Sequence, residues 1–273
     1  MNTSELINIS NKIKLEVLEL AVLKGKGHLG GTYSCLDLLV ALYYGDVLNI
    51  NANNFEGNQR DRFILSKGHA CLALYVILED LGIITKDALN SYGDNGGLGA
   101  QLDISVPGVD WNTGSLGHAL GVVSGIAMAS KMNNKSFHAY TILGDAEMAE
   151  GSVWEAIAFA GDHCISNVIG IIDRNRLSVT EVLEDDGIFR NYAAIVESLG
   201  WVALEINGHD FEEISEALNE AKNNKKPTMI LANTVKGKGV SFMENSLKWH
   251  HSIPSSKELE IARIELSEKI KNG

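Results

Sequence analysis

Two short apolar runs, Ala139 to Leu143 and Val168 to Ile172, each stop just short of an acidic residue, Asp145 and Asp173. Runs this short and this apolar suit strands covered on both faces, the condition of a parallel sheet. A helix is predicted between them, from about Gly151 to Ala160. The alternation then repeats with a helix near Asn191 to Ser198, a strand Trp201 to Ile206, a helix Phe211 to Ala221 and a strand Thr228 to Ala232. Asp210 and Glu213 have the spacing of a capping box at the start of the Phe211 helix. The chain therefore reads as α/β, a mainly parallel sheet with helices on both faces, and such sheets bind ligands at the carboxyl ends of their strands.

Upstream, Leu6, Ile9, Ile13, Val17 and Leu20 recur at spacings of three and four, which places them on one stripe of a first helix. It ends at a loop marked by Gly25, Gly27, Gly30 and Gly31. An apolar helix follows around Leu36 to Tyr44, then a short strand Arg62 to Leu65, then a helix that Ser66-Lys67-Gly68-His69 opens and that runs through Leu81. Ser91 to Thr113 holds several glycines and Pro107 without a period, the mark of an ordered functional loop, and Gly117 to Met132 is a helix rich in Gly and Ala. A last helix starts at Ser255-x-x-Glu258. No repeat or low-complexity linker divides the chain, so a single domain over residues 1–273 is expected.

Charge limits the partners. A formal net charge of -12 opposes an extended nucleic-acid surface, which would need clustered Lys and Arg, but leaves room for a local phosphate site. Cys35, Cys71 and Cys164 are odd in number and lack metal-ligand spacing, so all three are read as small core residues. No stretch approaches the roughly 18 to 20 apolar residues of a membrane span, and Met1-Asn2-Thr3-Ser4-Glu5 lacks the features of a signal peptide. A cytoplasmic protein is expected.

The two strand ends carry the chemistry. Gly144-Asp145-Ala146-Glu147 closes one, and thirty residues after Asp145 comes Asn175, within Asp173-Arg174-Asn175-Arg176-Leu177. Mg²⁺ takes about six oxygens and readily keeps phosphate among them, so a carboxylate, an amide oxygen and a backbone carbonyl would complete its shell with a diphosphate and water. Asp145, Asn175 and the Leu177 carbonyl are the natural donors. Gly144 lets the backbone approach closely, Ala146 offers an N–H, and the helix that follows would turn its positive dipole end toward the diphosphate. Either segment alone is an ordinary strand-to-helix turn with an N-cap.

Together they resemble the thiamine diphosphate motif, Gly-Asp-Gly followed about thirty residues on by Asn, with Ala146 in place of the last Gly. The resemblance extends over most of the chain and is to transketolases, specifically to their N-terminal, diphosphate-binding part. Gly27-His28-Leu29-Gly30 is similar to the family's Gly-His-Pro-Gly loop. Asp61-Arg62-Phe63-Ile64-Leu65-Ser66-Lys67-Gly68-His69 is similar to its Arg-Asp-Arg-Phe-x-Leu-Ser-x-Gly-His segment, and Thr113-Gly114-Ser115-Leu116-Gly117 to its Thr-Gly-Pro-Leu-Gly turn. Lys248-Trp249-His250 falls where the family carries a histidine facing the cofactor.

The resemblance implies the thiamine diphosphate-binding fold, thiamine diphosphate and Mg²⁺ as cofactors, and transfer of a two-carbon ketol unit from a ketose phosphate to an aldose phosphate, with the cofactor ring as electron sink. It implies proton transfer and polar contact by His28 and His250, and places His69 at the diphosphate and reaction centre. Gly114, Ser115 and Leu116 would lie beside the cofactor together with Gly144, Asp145, Ala146 and Asn175, and the metal would be held by Asp145, Asn175 and Leu177. His118, His138, His163 and His209 gain no such support. Glu150 is expected at a subunit interface.

Two departures bear on the substrate. Leu29 stands where the family's Pro stiffens the loop, and Gly99-Ala100-Gln101-Leu102 stands where many transketolases carry Gly-His-Pro. Gln101 can hydrogen-bond but cannot relay a proton. Full-length transketolases also carry a second domain with the glutamate that bonds the aminopyrimidine, and no such half follows before Gly273. The resemblance thus implies a separate C-terminal subunit bearing the pyrimidine-binding domain, in a heterotetramer of two chains of each type, with sugar phosphates as substrates. The alternatives are a split 2-oxo acid decarboxylase or dehydrogenase component, and a non-catalytic paralogue acting as scaffold.

Overall fold

Five strands, β1 (Arg62–Leu65), β2 (Ala139–Gly144), β3 (Val168–Arg174), β4 (Val202–Asn207) and β5 (Thr228–Asn233), make one sheet in the order β1-β2-β3-β5-β4, and every pairing is parallel. The computed structural model that shows this describes residues 1–179, 181–183 and 191–272. Strand side chains alternate between two cores, as the period of two requires. Tyr140, Ile142, Ile169, Ile171 and Ile230 enter one core with the helices α1 (Thr3–Lys24), α2 (Leu29–Tyr44), α3 (Cys71–Asp80) and α8 (Phe211–Asn223). Ala139, Leu143, Val168, Ile172, Met229 and Leu231 enter the other with α5 (Ala119–Met132), α6 (Gly151–Asp162) and α7 (Tyr192–Ser198). The chain steps outward across the sheet through α5, α6 and α7 and returns from β4 to β5 through α8. That reversal puts α8 on the opposite face, as right-handed crossovers demand. The short α4 (Lys86–Asn90) follows α3, and α9 (Ser256–Asn272) packs on α1.

Register sets the site. Gly144 pairs with Asp173, and Asp173 pairs with Ala232, so β2, β3 and β5 end level at their carboxyl edge. Asp145, Asn175 and the chain after Asn233 therefore emerge side by side.

The expected stripe of the first helix is present, with Leu6, Ile13, Val17 and Leu20 buried and Ile9 packed at its margin. Several local expectations need correcting. The second helix begins at Leu29, not near Leu36, because Gly30 and Gly31 belong to its first turn. A Cβ on Gly30 would lie 3.0 Å from the Trp249 carbonyl oxygen and one on Gly31 3.1 Å from His69 Nε2, so these glycines serve close packing and not a loop. The helix expected to open at Ser66-Lys67-Gly68-His69 opens as a 3₁₀ turn, Gly68–Ala70, with α3 following. Asp210 caps α8 by accepting from the N–H groups of Glu212 and Glu213, but the Glu213 carboxylate turns to Asn207 N, so the box is half made. Ser255 and Glu258 do cap α9 reciprocally. Cys35 and Cys71 are buried as expected; Cys164 is exposed, on a left-handed residue just past α6.

Gly161, in the last turn of α6, gives a direct test of this packing. A Cβ there would collide with the Leu199 carbonyl oxygen, a backbone atom that cannot rotate away. Gly161→Ala is expected to cost roughly 1–3 kcal/mol, the usual scale of overpacking, read as a lowered melting temperature. An unchanged melting temperature would refute the contact.

Candidate functional site

A cavity of about 280 Å³ opens at the carboxyl edge of the sheet. Its floor is an ion pair between Lys67, just past β1, and Asp173, at the end of β3, both buried. Asp173 also accepts from Ser34 Oγ at 2.6 Å, from Thr234 Oγ1 and from Asn175 Nδ2 at 3.3 Å, while Lys67 Nζ donates to the Gly31 carbonyl at 2.8 Å. Burial alone would raise the Asp173 pKa, but the Lys67 ammonium and these donors outweigh it and hold the carboxyl below its ordinary value. Burial likewise opposes the Lys67 charge, and Asp173 restores it, so the ammonium is held above its ordinary value.

Asp145 stands just beyond β2 with 5% of its surface exposed. Its carboxylate accepts from Arg176 N at 2.5 Å and from Ala146 N at 2.7 Å. Burial and the nearby negative charge of Asp173 overcome those donors and push its pKa up to about 6. The Ala146 N–H is thus engaged by Asp145, and the turn that follows is a 3₁₀ turn, Ala146–Ala149, so α6 begins only at Gly151. Asn175 folds back so that its Oδ1 accepts from Leu177 N at 3.1 Å, which aligns the Leu177 carbonyl with the same cavity. That carbonyl accepts from Lys236 Nζ at 3.1 Å, and the Ser178 carbonyl does so at 2.8 Å. Lys236 comes from the segment after β5, and burial together with the Lys67 charge pushes its pKa down to about 8.

Four histidines wall the other side. His28 lies 5.4 Å from His69 and 5.5 Å from His250, ring centre to ring centre, and His69 lies 5.5 Å from His250. His251 is 4.8 Å from His28. Burial first, then the Lys67 charge, drives the His69 pKa down to about 2; burial and Lys236 drive His250 to about 3; burial and His251 lower that of His28. All three are neutral imidazoles at neutral pH in the unliganded chain.

Most of the expected site residues meet here. His28, His69, Leu116, Gly144, Asp145, Ala146, Asn175, Leu177 and His250 all line the cavity. Gly114 and Ser115 do not; they lie in the segment leading to Leu116. Gly114 has φ 125, a conformation that favours glycine, and a Cβ there would press on Gln101 Cγ at 3.1 Å. Gln101 thus packs between Gly114 and Gly68, the residue before His69, and its Oε1 is buried without a hydrogen-bond partner among the described residues.

Residues 7–270 match the family model "Transketolase, thiamine diphosphate binding domain". The chain belongs to the transketolase family. An apulose-4-phosphate transketolase subunit from Phocaeicola vulgatus is 39% identical over 263 residues, 96% of this chain and 93% of the relative. A 6-deoxy-6-sulfo-D-fructose transketolase subunit of a Clostridium species is 36% identical over 247 residues, 89% of this chain and 88% of the relative. The crystal structure of transketolase from Campylobacter jejuni has a TM-score of 0.86 at 30% identity, covering 98% of this chain; the chain spans 43% of that protein. The expected fold, that of a transketolase thiamine diphosphate-binding domain, is therefore the observed one.

Within this transketolase domain, three site residues besides His251 lie outside what the motifs point to. Lys67 sits inside a segment matched for His69, and Lys236 belongs to Val235-Lys236-Gly237-Lys238-Gly239, directly after a strand; a lysine beyond a parallel strand is the available signal for an anion site. Glu147 is the third. Its carboxylate accepts from Ser66 Oγ, from Gly117 N at 2.8 Å and from Gly144 N at 3.1 Å, tying three cavity segments together.

The raised Asp145 pKa makes a signed prediction. Its folded value, about 6, exceeds the ordinary 3.8, so the ionised carboxylate costs the unliganded fold stability at neutral pH. That cost fades as pH falls through about 6 toward the ordinary value. Relative to Asp145→Asn, the metal-free chain should gain roughly 2 kcal/mol between about pH 7.5 and pH 4.5, measured as a difference in denaturant midpoints. A pH-independent difference would contradict the electrostatic account.

Proposed function

We propose that this chain is the diphosphate-binding subunit of a split transketolase that moves a two-carbon ketol unit from a ketose phosphate to an aldose phosphate, using thiamine diphosphate and Mg²⁺. The observation that carries it is the convergence of Asp145, Asn175 and the Leu177 carbonyl with Lys67 and Lys236 around one cavity whose opposite wall is histidine. The donor set suits Mg²⁺, since a carboxylate, an amide and a carbonyl are hard oxygen ligands. Two further features fit the cofactor. Asp145 is poorly stabilised as an anion and Lys236 as a cation without a ligand, and a metal ion and a diphosphate would supply the missing opposite charges.

In this reading Asp145, Asn175 and the Leu177 carbonyl would hold the metal, and Lys236, now on the Leu177 and Ser178 carbonyls, would supply positive charge for the diphosphate. The metal-bound cofactor supplies an electron sink for breaking the carbon–carbon bond beside a ketose carbonyl. The chain's own part is positioning and proton handling. Leu116 offers an apolar contact, and Gly114 and Ser115 form the segment that would position it beside the cofactor. Burial depresses His69 and His250 most, and the Lys67 and Lys236 charges add to it; diphosphate charge beside the two lysines would offset that added part. His28 and His250 would serve proton transfer and polar contact at the sugar, and His69 would serve the diphosphate and reaction centre.

The relatives named as transketolase subunits run nearly the length of this chain, which supports a single domain over residues 1–273 and a separate partner carrying the pyrimidine-binding half. The surface supports it as well. Gly121, Gly125 and Ala129 on α5 and Glu155 and Ala158 on α6 are exposed, with Met132 and Phe159 flanking them, and Glu150 is exposed at the start of α6. Small residues beside exposed apolar ones form a flat surface suited to close helix packing between subunits. Two chains of each type about a two-fold axis is the proposed assembly. Cytoplasmic placement is part of the same proposal; among the described residues no helix is long and apolar enough to cross a membrane.

Two measurements test this reading. Asp145→Ala should weaken Mg²⁺-dependent thiamine diphosphate binding by about 100-fold or more in calorimetry of the assembled enzyme, with the fold intact; unchanged affinity would sink the ligand assignment. Ketol transfer should require the partner chain and fall about 100-fold in its turnover number in His250→Ala. Full activity of this chain alone would overturn the split-enzyme proposal.

A further inference from the structure

We propose that His28, His250 and His251 form a second metal site, distinct in ligand chemistry from the Mg²⁺ site, that takes Zn²⁺. One ligand nitrogen from each of the three residues lies within 4.8 Å of the others. The rings meet edge to face, with centres 5.5 Å apart for His28 and His250, 4.8 Å for His28 and His251, and 4.5 Å for His250 and His251. Three imidazoles that leave one position open to a cavity are a Zn²⁺ donor set, and they are a poor set for Mg²⁺, which demands oxygen.

Two of the three ligands are held in place. His28 is the N-cap residue of α2, and its carbonyl accepts from Thr32 N at 2.9 Å. His250 ends the 3₁₀ turn Leu247–His250, which is anchored by buried Trp249 through a 2.7 Å bond from its indole N–H to the Phe242 carbonyl. The Nδ1 atoms of His28 and His250 are buried and have no hydrogen-bond partner among the described residues, a state that costs free energy until a ligand or donor meets it. A tetrahedral Zn²⁺ with bonds near 2.0–2.1 Å requires nitrogens about 3.4 Å apart; His251 is exposed and its side chain can rotate inward, and the His28 and His250 rings would also have to turn toward each other from within 4.8 Å.

The site does not depend on the transketolase reading, but its consequence does. An ion held by His28 and His250 occupies the groups proposed to meet the ketose, so Zn²⁺ would shut the sugar out of the cavity.

Calorimetric titration of the full chain with ZnCl₂ in excess Mg²⁺ tests the site without any activity assay. One Zn²⁺ per chain is expected, with affinity reduced at least about 10- to 100-fold in His251→Ala and in His28→Ala and unchanged in Asp145→Asn. Because His251 is exposed, its replacement leaves the core untouched. Co²⁺ in place of Zn²⁺ should give the visible absorption of a four-coordinate ion in the wild type, lost in His251→Ala. Absence of one-to-one binding, equal affinity in His251→Ala, or loss of binding in Asp145→Asn instead would each overturn the proposal.

Discussion

The buried ion pair between Lys67 and Asp173 is the interaction around which the site is arranged. It joins the end of β1 to the end of β3, reaches the first two turns of α2 through Gly31 and Ser34, and reaches the end of β5 through Thr234. A charge buried this deeply is tolerated only when it is paired and its remaining hydrogen-bonding capacity is filled, and Asp173 meets both conditions. Removing either partner would leave an uncompensated charge, at a cost of about 3–5 kcal/mol on the scale of broken buried pairs. The pair thereby fixes the positions from which Asp145, Asn175 and Lys236 project.

Around that neutral floor the remaining groups are not at rest. Burial and the Asp173 charge oppose the Asp145 anion, Lys236 is held by backbone carbonyls, and burial, with the lysines adding to it, presses His69 and His250 toward neutrality. The charge part of each of these tensions has the sign that a divalent metal with a diphosphate would offset. A site built this way invests part of its folding stability in a geometry that becomes favourable only with ligands present, as functional sites commonly do.

How much the sequence discloses follows the physics of each element. The strand ends are legible because two apolar runs that stop at Gly144-Asp145 and Asp173 come at the spacing of one motif, and His28 and His69 are legible through the glycines before them and His250 through Trp249. The start of α2 is not, since Gly30 and Gly31 look like a loop until Trp249 and His69 are seen packed on them. Lys236 escapes a local reading because its role depends on β5 ending level with β2 and β3, a matter of register and not of pattern. The gathering of His251 with His28 and His250 likewise comes from segments more than two hundred residues apart. Ala146 shows the opposite error: its N–H looks open to a ligand in the sequence, but the short carboxylate next door takes it first.

The central claim is that a divalent ion and a diphosphate share the carboxyl edge of β2 and β3. Crystals of the chain with its partner subunit, thiamine diphosphate and Mn²⁺ in place of Mg²⁺ would test it most directly, because Mn²⁺ accepts the same oxygen ligands and can be located by its anomalous scattering. The account predicts one anomalous peak within bonding distance of Asp145, Asn175 Oδ1 and the Leu177 carbonyl oxygen, with the Lys236 ammonium moved from that carbonyl to a phosphate oxygen. A diphosphate bound at this edge with the metal elsewhere, or with Lys236 still on Leu177, would contradict it.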